Sequence, residues 1–426
     1  MQGNSTAVIL DDSCAKPVCF KNRMDTNCKH MLTLEYVSFN LFTGKTLGRL
    51  VFCLFFLSAL DRGFSLCQIR FVAARVPSTS RGWACRWVGR VHSGVERAGR
   101  PLTTTASLNG FTTMISRLFK ALGWCFLIFL GLVFMIFFAP DLNRHDLELA
   151  YAQAPSQFLQ VKDLRVHYRD TGPRSAPVIV MLHGFGSSLH TWDHWSAALE
   201  RDHRVIRLDL AGFGLTGESP DQNYSDAADV LRLTDFLNAL GVSDCIVLGH
   251  SMGGRIAWNF ASTYPERVRR LVLLAPDGFP VPGQKLGEKP YDFGRLADLI
   301  QFILPKYLVK KSLEPAFYNA ELITSGLLDR YNDMLRAPTV RRAILDRMRQ
   351  TVISDPVERL KRITAPTLLL WGENDQMIPS SNSLDYQKAL LHSQTVILPR
   401  ASHLLQEENP QLGLACVLEF IHSQRP

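Results

Sequence analysis

The chain has 426 residues, 46% of them hydrophobic and 20% charged, which is enough apolar matter for a buried core and excludes both a wholly disordered chain and a small disulfide scaffold. Its formal charge of +8 suggests an anionic partner until it is located: residues 1–113 hold 14 Lys/Arg against 6 Asp/Glu, while residues 114–426 hold 33 of each. Six of the nine cysteines (Cys14, Cys19, Cys28, Cys53, Cys67, Cys85) also precede residue 114, so the chain reads as two unlike pieces.

In residues 1–113 no helical or alternating hydrophobic period is sustained. The apolar run at 50–60 has eleven residues, too few to span a bilayer. The cysteines form no C-x-x-C pair, which argues against zinc. Residues 81–90 mix Arg81, Arg86 and Arg90 with Trp83 and Trp87, a composition that can touch nucleic acid. A basic run without a scaffold reads better as a solvated leader, so no nucleic-acid partner is expected. Met114, followed by Arg117, Lys120 and an apolar run, has the form of a protein start. Residues 1–113 therefore read as an upstream extension that is not translated, which N-terminal sequencing of the native protein decides.

Residues 121–139 are nineteen positions without a charged or strongly polar side chain. As a helix they cover about 28 Å, close to the hydrocarbon thickness of a membrane. Trp124 stands near one end as an interfacial anchor would, and Pro140 and Asp141 close the run. A core helix of a soluble domain would keep a polar stripe, and this run has none. Ala150 and Ala152 make a small-x-small cleavage pattern, but more than ten residues beyond the run, so an uncleaved anchor over 114–141 is expected. Arg117 and Lys120 precede it; Asp141, Arg144, Asp146 and Glu148 follow. The positive-inside rule puts the N-terminus in the cytoplasm and all that follows 141 on the extracytoplasmic side.

From about residue 157 short apolar, β-branched runs alternate with amphipathic helical stretches. Strands are expected at 164–168, 178–182, 205–209, 245–248, 271–274, 367–371 and 395–398, with helices between them, for example at 227–240 and 255–264. Runs apolar on both faces and separated by helices predict an α/β fold with a mostly parallel sheet, whose site should lie past the carboxyl ends of the strands.

The segment Gly249-His-Ser251-Met-Gly253-Gly254 follows one such strand and opens a helix. G-x-S-x-G in that setting is a nucleophile elbow: the serine sits on a strained turn with its hydroxyl exposed, and Gly249 and Gly253 have no side chains to collide there. His183-Gly184-Phe185-Gly186 follows the strand at 178–182. The backbone N–H of Phe185 would pair with that of Met252 as an oxyanion hole. Asp375 ends a strand within Trp371-Gly-Glu373-Asn-Asp375, and His403 follows the last strand. The order Ser251, Asp375, His403 is that of a hydrolase triad, with Ser251 as nucleophile, His403 as base and then acid, and Asp375 fixing the imidazole. Glu373 and Asp277 are the competing acids. His183, His190, His194 and His250 read as structural or pocket residues, and Asp209 as stabilising its loop.

These motifs together resemble the α/β-hydrolase family over roughly residues 157–426. The nearest likeness is to membrane-anchored monoacylglycerol lipases and carboxylesterases, with a looser one to hydrolases of ring-fission diketones. The resemblance implies acyl hydrolysis with no cofactor and no metal. One position departs: the family pattern D-x-R-G-x-G after the third strand has Ala211 in place of arginine. Family members that open epoxides carry aspartate where Ser251 stands.

Over ninety residues separate the strands at 271–274 and 367–371. They read as helices at 291–303, 305–311, 322–335 and 339–351, and the resemblance makes residues 277–355 a helical cap inserted in a core of 142–276 and 356–426. Lys306, Lys310 and Lys311 could rest on a bilayer surface. The resulting expectation is a membrane-tethered serine hydrolase of esters with apolar acyl chains. Carbon–carbon hydrolysis of a diketone and a non-catalytic ligand-binding protein are the rival readings.

Overall fold

The computed structural model describes residues 105–287 and 294–423. The readings made for residues 1–104, including the run at 50–60 and the Arg/Trp segment, lie outside them.

Eight strands form one sheet: β1 (Ser156–Val161), β2 (Leu164–Thr171), β3 (Val178–Leu182), β4 (Arg204–Leu208), β5 (Cys245–His250), β6 (Val268–Leu274), β7 (Thr367–Gly372) and β8 (Ser393–Leu398). Their order is β1-β2-β4-β3-β5-β6-β7-β8. β1 and β2 run antiparallel to each other, β2 runs antiparallel to β4, and every other pairing is parallel. Every residue of β5 and β7 is buried, which is why these stretches read as unbroken apolar runs rather than alternating ones. β1 is the strand that the hydrophobic pattern did not reveal. It is a half-exposed edge strand with Gln157 and Gln160 among its six residues, and an edge needs only part of one face to be apolar.

Helices cover both faces. On one side Leu233 and Phe236 of Asp226–Ala239, Ile256 and Phe260 of Met252–Thr263, and Tyr386 of Ser383–Ala389 pack with Val180, Val247, Leu271 and Leu369. On the other, Trp195 and Leu199 of Asp193–Leu199 and Val417 and Phe420 of Pro410–His422 pack with Met181, Leu248, Val272 and Leu370. Ser225 begins the first of these helices by accepting the N–H of Ala228, a cap whose loss typically costs about 1 kcal/mol.

Between β6 and β7 the described residues form Arg295–Phe302, a 3₁₀ helix, then the α-helices Lys306–Leu313, Ser325–Leu335, Val340–Gln350 and Val357–Leu360. Its apolar residues Val309, Leu313, Phe317 and Tyr331 cluster with Leu404, the residue after His403. The His403 and Leu404 N–H groups both donate to the Ala316 carbonyl, at 3.1 and 3.0 Å. The insertion is thereby fastened beside the loop that follows β8.

Helix Thr105–Phe137 contains a stretch, Thr113–Phe137, that is long and apolar enough to cross a membrane, and no residue of its most apolar window is buried. Its 25 residues would extend about 37 Å. The expected run at 121–139 thus divides at residue 137. Phe138 makes a β-bridge with Ile303, and the Ala139 N–H donates to the Phe302 carbonyl at 2.8 Å. Arg341 donates to the Ala139 carbonyl at 2.5 Å and to the Asp141 carboxylate at 2.6 Å, and Arg336 donates to the Pro140 carbonyl at 3.1 Å. The helix exit is therefore tied to the insertion between β6 and β7.

Candidate active site

β5 delivers Ser251 to the carboxyl edge of the sheet, and the helix Met252–Thr263 leaves from it. Ser251 adopts φ 53° and ψ −120°, a conformation that costs a non-glycine residue about 1–3 kcal/mol. Surrounding hydrogen bonds hold it there. The Ser251 N–H donates to the Leu274 carbonyl at 2.9 Å, and its carbonyl accepts from Arg255 and Asp277, both at 3.0 Å. Its Oγ carries no hydrogen bond among the described residues.

Glycine is required where the turn is tightest. A Cβ on Gly253 would lie 2.3 Å from the Leu182 carbonyl oxygen, so the new helix can press against the end of β3 only without one. A Cβ on Gly249 would meet the Gly253 carbonyl oxygen at 2.5 Å.

His403 and Asp375 meet at 2.7 Å through Nδ1 and Oδ2. Asp375 Oδ1 accepts the N–H groups of Met377 at 2.8 Å and Ile378 at 2.9 Å, so the carboxylate is held by both oxygens. A carboxylate only accepts, so His403 must carry its proton on Nδ1, which leaves Nε2 as a free base. Of the competing acids, Glu373 is exposed, and Asp277 pairs with Arg255 at 3.4 Å. Neither bonds to His403.

His250 joins the elbow to the histidine. Its Nε2–H donates to the His403 carbonyl at 2.9 Å, and the two rings lie 4.6 Å apart. Burial, and then the neighbouring His403, push the His250 imidazole well below its usual range, so it stays neutral. His250 Nδ1 has no partner and faces Gly184, whose hypothetical Cβ would sit 2.7 Å from it. His183 is likewise buried and neutral, its Nδ1–H donating to the Gly184 carbonyl at 2.8 Å while Nε2 accepts the Leu210 N–H at 3.0 Å. It links the loop after β3 to the loop after β4.

In the loop after β3, Phe185 is 46% exposed and packs its ring on Phe213 at 5.5 Å. Met252 is buried at the first position of its helix. The amide N–H groups of Phe185 and Met252 have no acceptor among the described residues, as donors reserved for a ligand would be.

Asp209 is buried and receives the N–H groups of Leu189 at 2.7 Å and Leu215 at 2.8 Å and the His167 ring at 2.8 Å. Burial opposes its charge, but the neighbouring imidazoles, His167 first, hold its carboxyl below the usual range. It organises loops behind the site. His190 is buried, donating to the Tyr151 carbonyl at 3.0 Å, and His194 is exposed.

Contacts not foreseen from sequence include His250 on His403, Tyr331 donating to Glu407 at 3.0 Å, and Arg347 on Asp229 at 2.6 Å. The last had a signal. Arg347 shares with Val340 and Ala343 the apolar face of helix Val340–Gln350, and a charge on an apolar stripe must find a buried partner.

Residues 177–410 match the model of the α/β-hydrolase fold family. Human epoxide hydrolase 4 is 28% identical over 288 residues, which cover 63% of this chain and 79% of that protein. The 2-hydroxy-6-oxononadienedioate/2-hydroxy-6-oxononatrienedioate hydrolase of Burkholderia vietnamiensis is 31% identical over 284 residues, 61% of this chain and 91% of that one. Among solved structures, a hydrolase from Pseudomonas aeruginosa PA01 is similar at 27% identity and a TM-score of 0.55, covering 63% of this chain and 99% of that one.

Proposed function

The chain belongs to the α/β-hydrolase fold family, and on that premise we propose that it is a membrane-tethered serine hydrolase of carboxylic esters with apolar acyl chains, monoacylglycerol-like lipids foremost. The observation that carries this reading is the Asp375–His403 pair at 2.7 Å, which leaves Nε2 basic beside an elbow whose strained residue is a serine.

In the reaction, Ser251 Oγ gives its proton to His403 Nε2 and attacks the ester carbonyl. The N–H groups of Phe185 and Met252 receive the oxyanion. As the tetrahedral species collapses, His403 returns the proton to the departing alcohol and an acyl-serine remains. Water, deprotonated by His403, then attacks the acyl-serine, and the acid leaves with Ser251 restored. Asp375 holds the imidazole tautomer and stabilises its cation throughout.

The side chain at the elbow separates this reading from epoxide opening. An elbow carboxylate attacks an epoxide directly, whereas Ser251 offers a hydroxyl suited to acyl transfer. Carbon–carbon hydrolysis of a diketone is the second reading, favoured by the 31% identity to the Burkholderia enzyme. The exposed apolar helix supports tethering, with the basic Arg117 and Lys120 on its cytoplasmic side and the catalytic domain across the membrane. The insertion over residues 277–355 would then act as a cap near lipid, its exposed Tyr307 and Leu308 beside Lys310.

A fluorophosphonate probe tests the chemistry. It should label the wild-type protein and not Ser251→Ala, whose kcat should fall by about 10⁴–10⁶. Absence of labelling in folded protein would favour a non-catalytic binder. A panel of p-nitrophenyl esters from acetate to palmitate, set beside a dienoate diketone, then ranks the substrate classes.

A further inference from the structure

Arg347 stands on helix Val340–Gln350, in the insertion, yet its side chain is only 5% exposed. Its guanidinium reaches into the sheet domain and holds Asp229 with two bonds, at 2.6 and 3.0 Å, and the Ala211 carbonyl at 3.0 Å. It lies 5.5 Å from the centre of the Phe213 ring and 4.8 Å from that of Tyr224. Phe213 is fully buried, and its ring makes edge contacts with His183 at 5.7 Å and Phe185 at 5.5 Å. One aromatic ring thus lies between the guanidinium and two consecutive-but-one residues of the loop after β3.

That loop needs such support. Phe185 is flanked by Gly184 and by Gly186, which has φ 68°, so its backbone is free to pivot unless the side chain is held. Its ring is half exposed, and Phe213 is its aromatic contact. A buried Arg–Asp pair seldom gains stability over an apolar pair of equal volume, and here the Arg347 Nε is left without a partner. Geometry rather than stability is what the arrangement supplies.

We propose that Arg347 is a positioning residue for the oxyanion hole: by clamping Phe213 it fixes Phe185, and with it the amide that receives the oxyanion. This rests on the serine-hydrolase reading, in which Phe185 and Met252 are the oxyanion donors. The insertion would then contribute to catalysis without touching substrate.

The full-length protein in detergent carries the test. Removing Arg347 alone would leave the buried Asp229 with the longer Arg232 pair at 3.5 Å, so the two are removed together in R347M/D229L, Arg232 keeping Asp221 at 2.6 Å, and separately the ring in F213L. Active sites are counted by fluorophosphonate titration. Kinetics on a p-nitrophenyl ester are read per titrated site, beside the affinity for a trifluoromethyl ketone, which forms the tetrahedral oxyanion. Each variant should lose about tenfold in kcat per site, less than the about 10²–10³ of an absent donor. KM should stay within about twofold, ketone affinity should fall with kcat, and the combined variant should be no slower than either parent. A lowered melting temperature with unchanged kcat per site would overturn the proposal, and so would additive losses. If R347M/D229L does not fold, F213L decides alone. A wild-type protein that neither labels nor hydrolyses any ester would instead overturn the serine-hydrolase reading, and this inference with it.

Discussion

Asp375 accepts the Nδ1–H of His403 at 2.7 Å with one carboxylate oxygen, and with the other takes the backbone N–H groups of Met377 and Ile378. The carboxylate therefore cannot rotate away from the ring without breaking two backbone hydrogen bonds. Asp375→Asn keeps the shape but can present its NH₂ to His403 and favour the wrong tautomer. The expected loss is about 10⁴ in kcat with an unchanged circular dichroism spectrum. A loss below about tenfold would mean that Glu373 or Asp277 can take the role.

Gly184 lies against His250, where a Cβ would come within 2.7 Å of Nδ1 and 3.2 Å of Ser251 Cβ. Gly184→Ala must push His250 off the His403 carbonyl or shift the loop that carries Phe185. Both the melting temperature and kcat should fall, the former by the equivalent of about 1–3 kcal/mol. An active and fully stable alanine variant would show that the loop relaxes freely.

His190 supplies a pH dependence of stability. Burial lowers its pKa to about 4 from 6.5, against the pull of Asp209 and Asp193. A base whose pKa is depressed by folding binds its proton better when unfolded, so its contribution is complete above pH 6.5 and is lost as pH falls towards 4. The loss is on the order of 3 kcal/mol over that window. His183 and His250, also depressed, act in the same direction. Urea midpoints between pH 7 and 4 should fall, and His190→Gln, which can still donate to the Tyr151 carbonyl, should flatten the slope. A midpoint independent of pH would contradict this.

The apolar helix and the link that follows it make separable contributions. Removing residues 1–137 leaves Phe138, Ala139, Pro140 and Asp141 to meet Ile303, Phe302, Arg336 and Arg341. Removing residues 1–142 takes those partners from Arg341, which is nearly buried. Both truncations should leave the membrane fraction, but the longer one should melt several degrees lower. Equal melting temperatures would show that the link is not part of the folded domain.

Much of the fold was legible because it is written locally. β3, β5 and β7 are continuous apolar runs, and the helices Lys306–Leu313, Ser325–Leu335 and Val340–Gln350 repeat their apolar residues at helical spacing, so these were expected within a few residues of where they stand, whereas the short helix Val357–Leu360 was not. β1 was not, because an edge strand with Gln157 and Gln160 has no strong period. The 3₁₀ character of Arg295–Phe302 was also invisible, since its apolar spacing equally suits an α-helix.

Sequence alone pointed to the family, the elbow around Ser251 and an apolar run at 121–139, because each depends on residues close together in the chain, while the structure set the bounds of the apolar stretch at Thr113–Phe137. Tertiary structure decided what depends on distant residues meeting. It chose Asp375 over Glu373 and Asp277 as the partner of His403, 28 positions away. It set Arg347 on Asp229 across 118 positions and Arg341 on Asp141 across 200. No local pattern names the partner in such pairs: the apolar face that carries Arg347 shows that it must be buried, but which acid it meets is set by how its helix packs against distant residues.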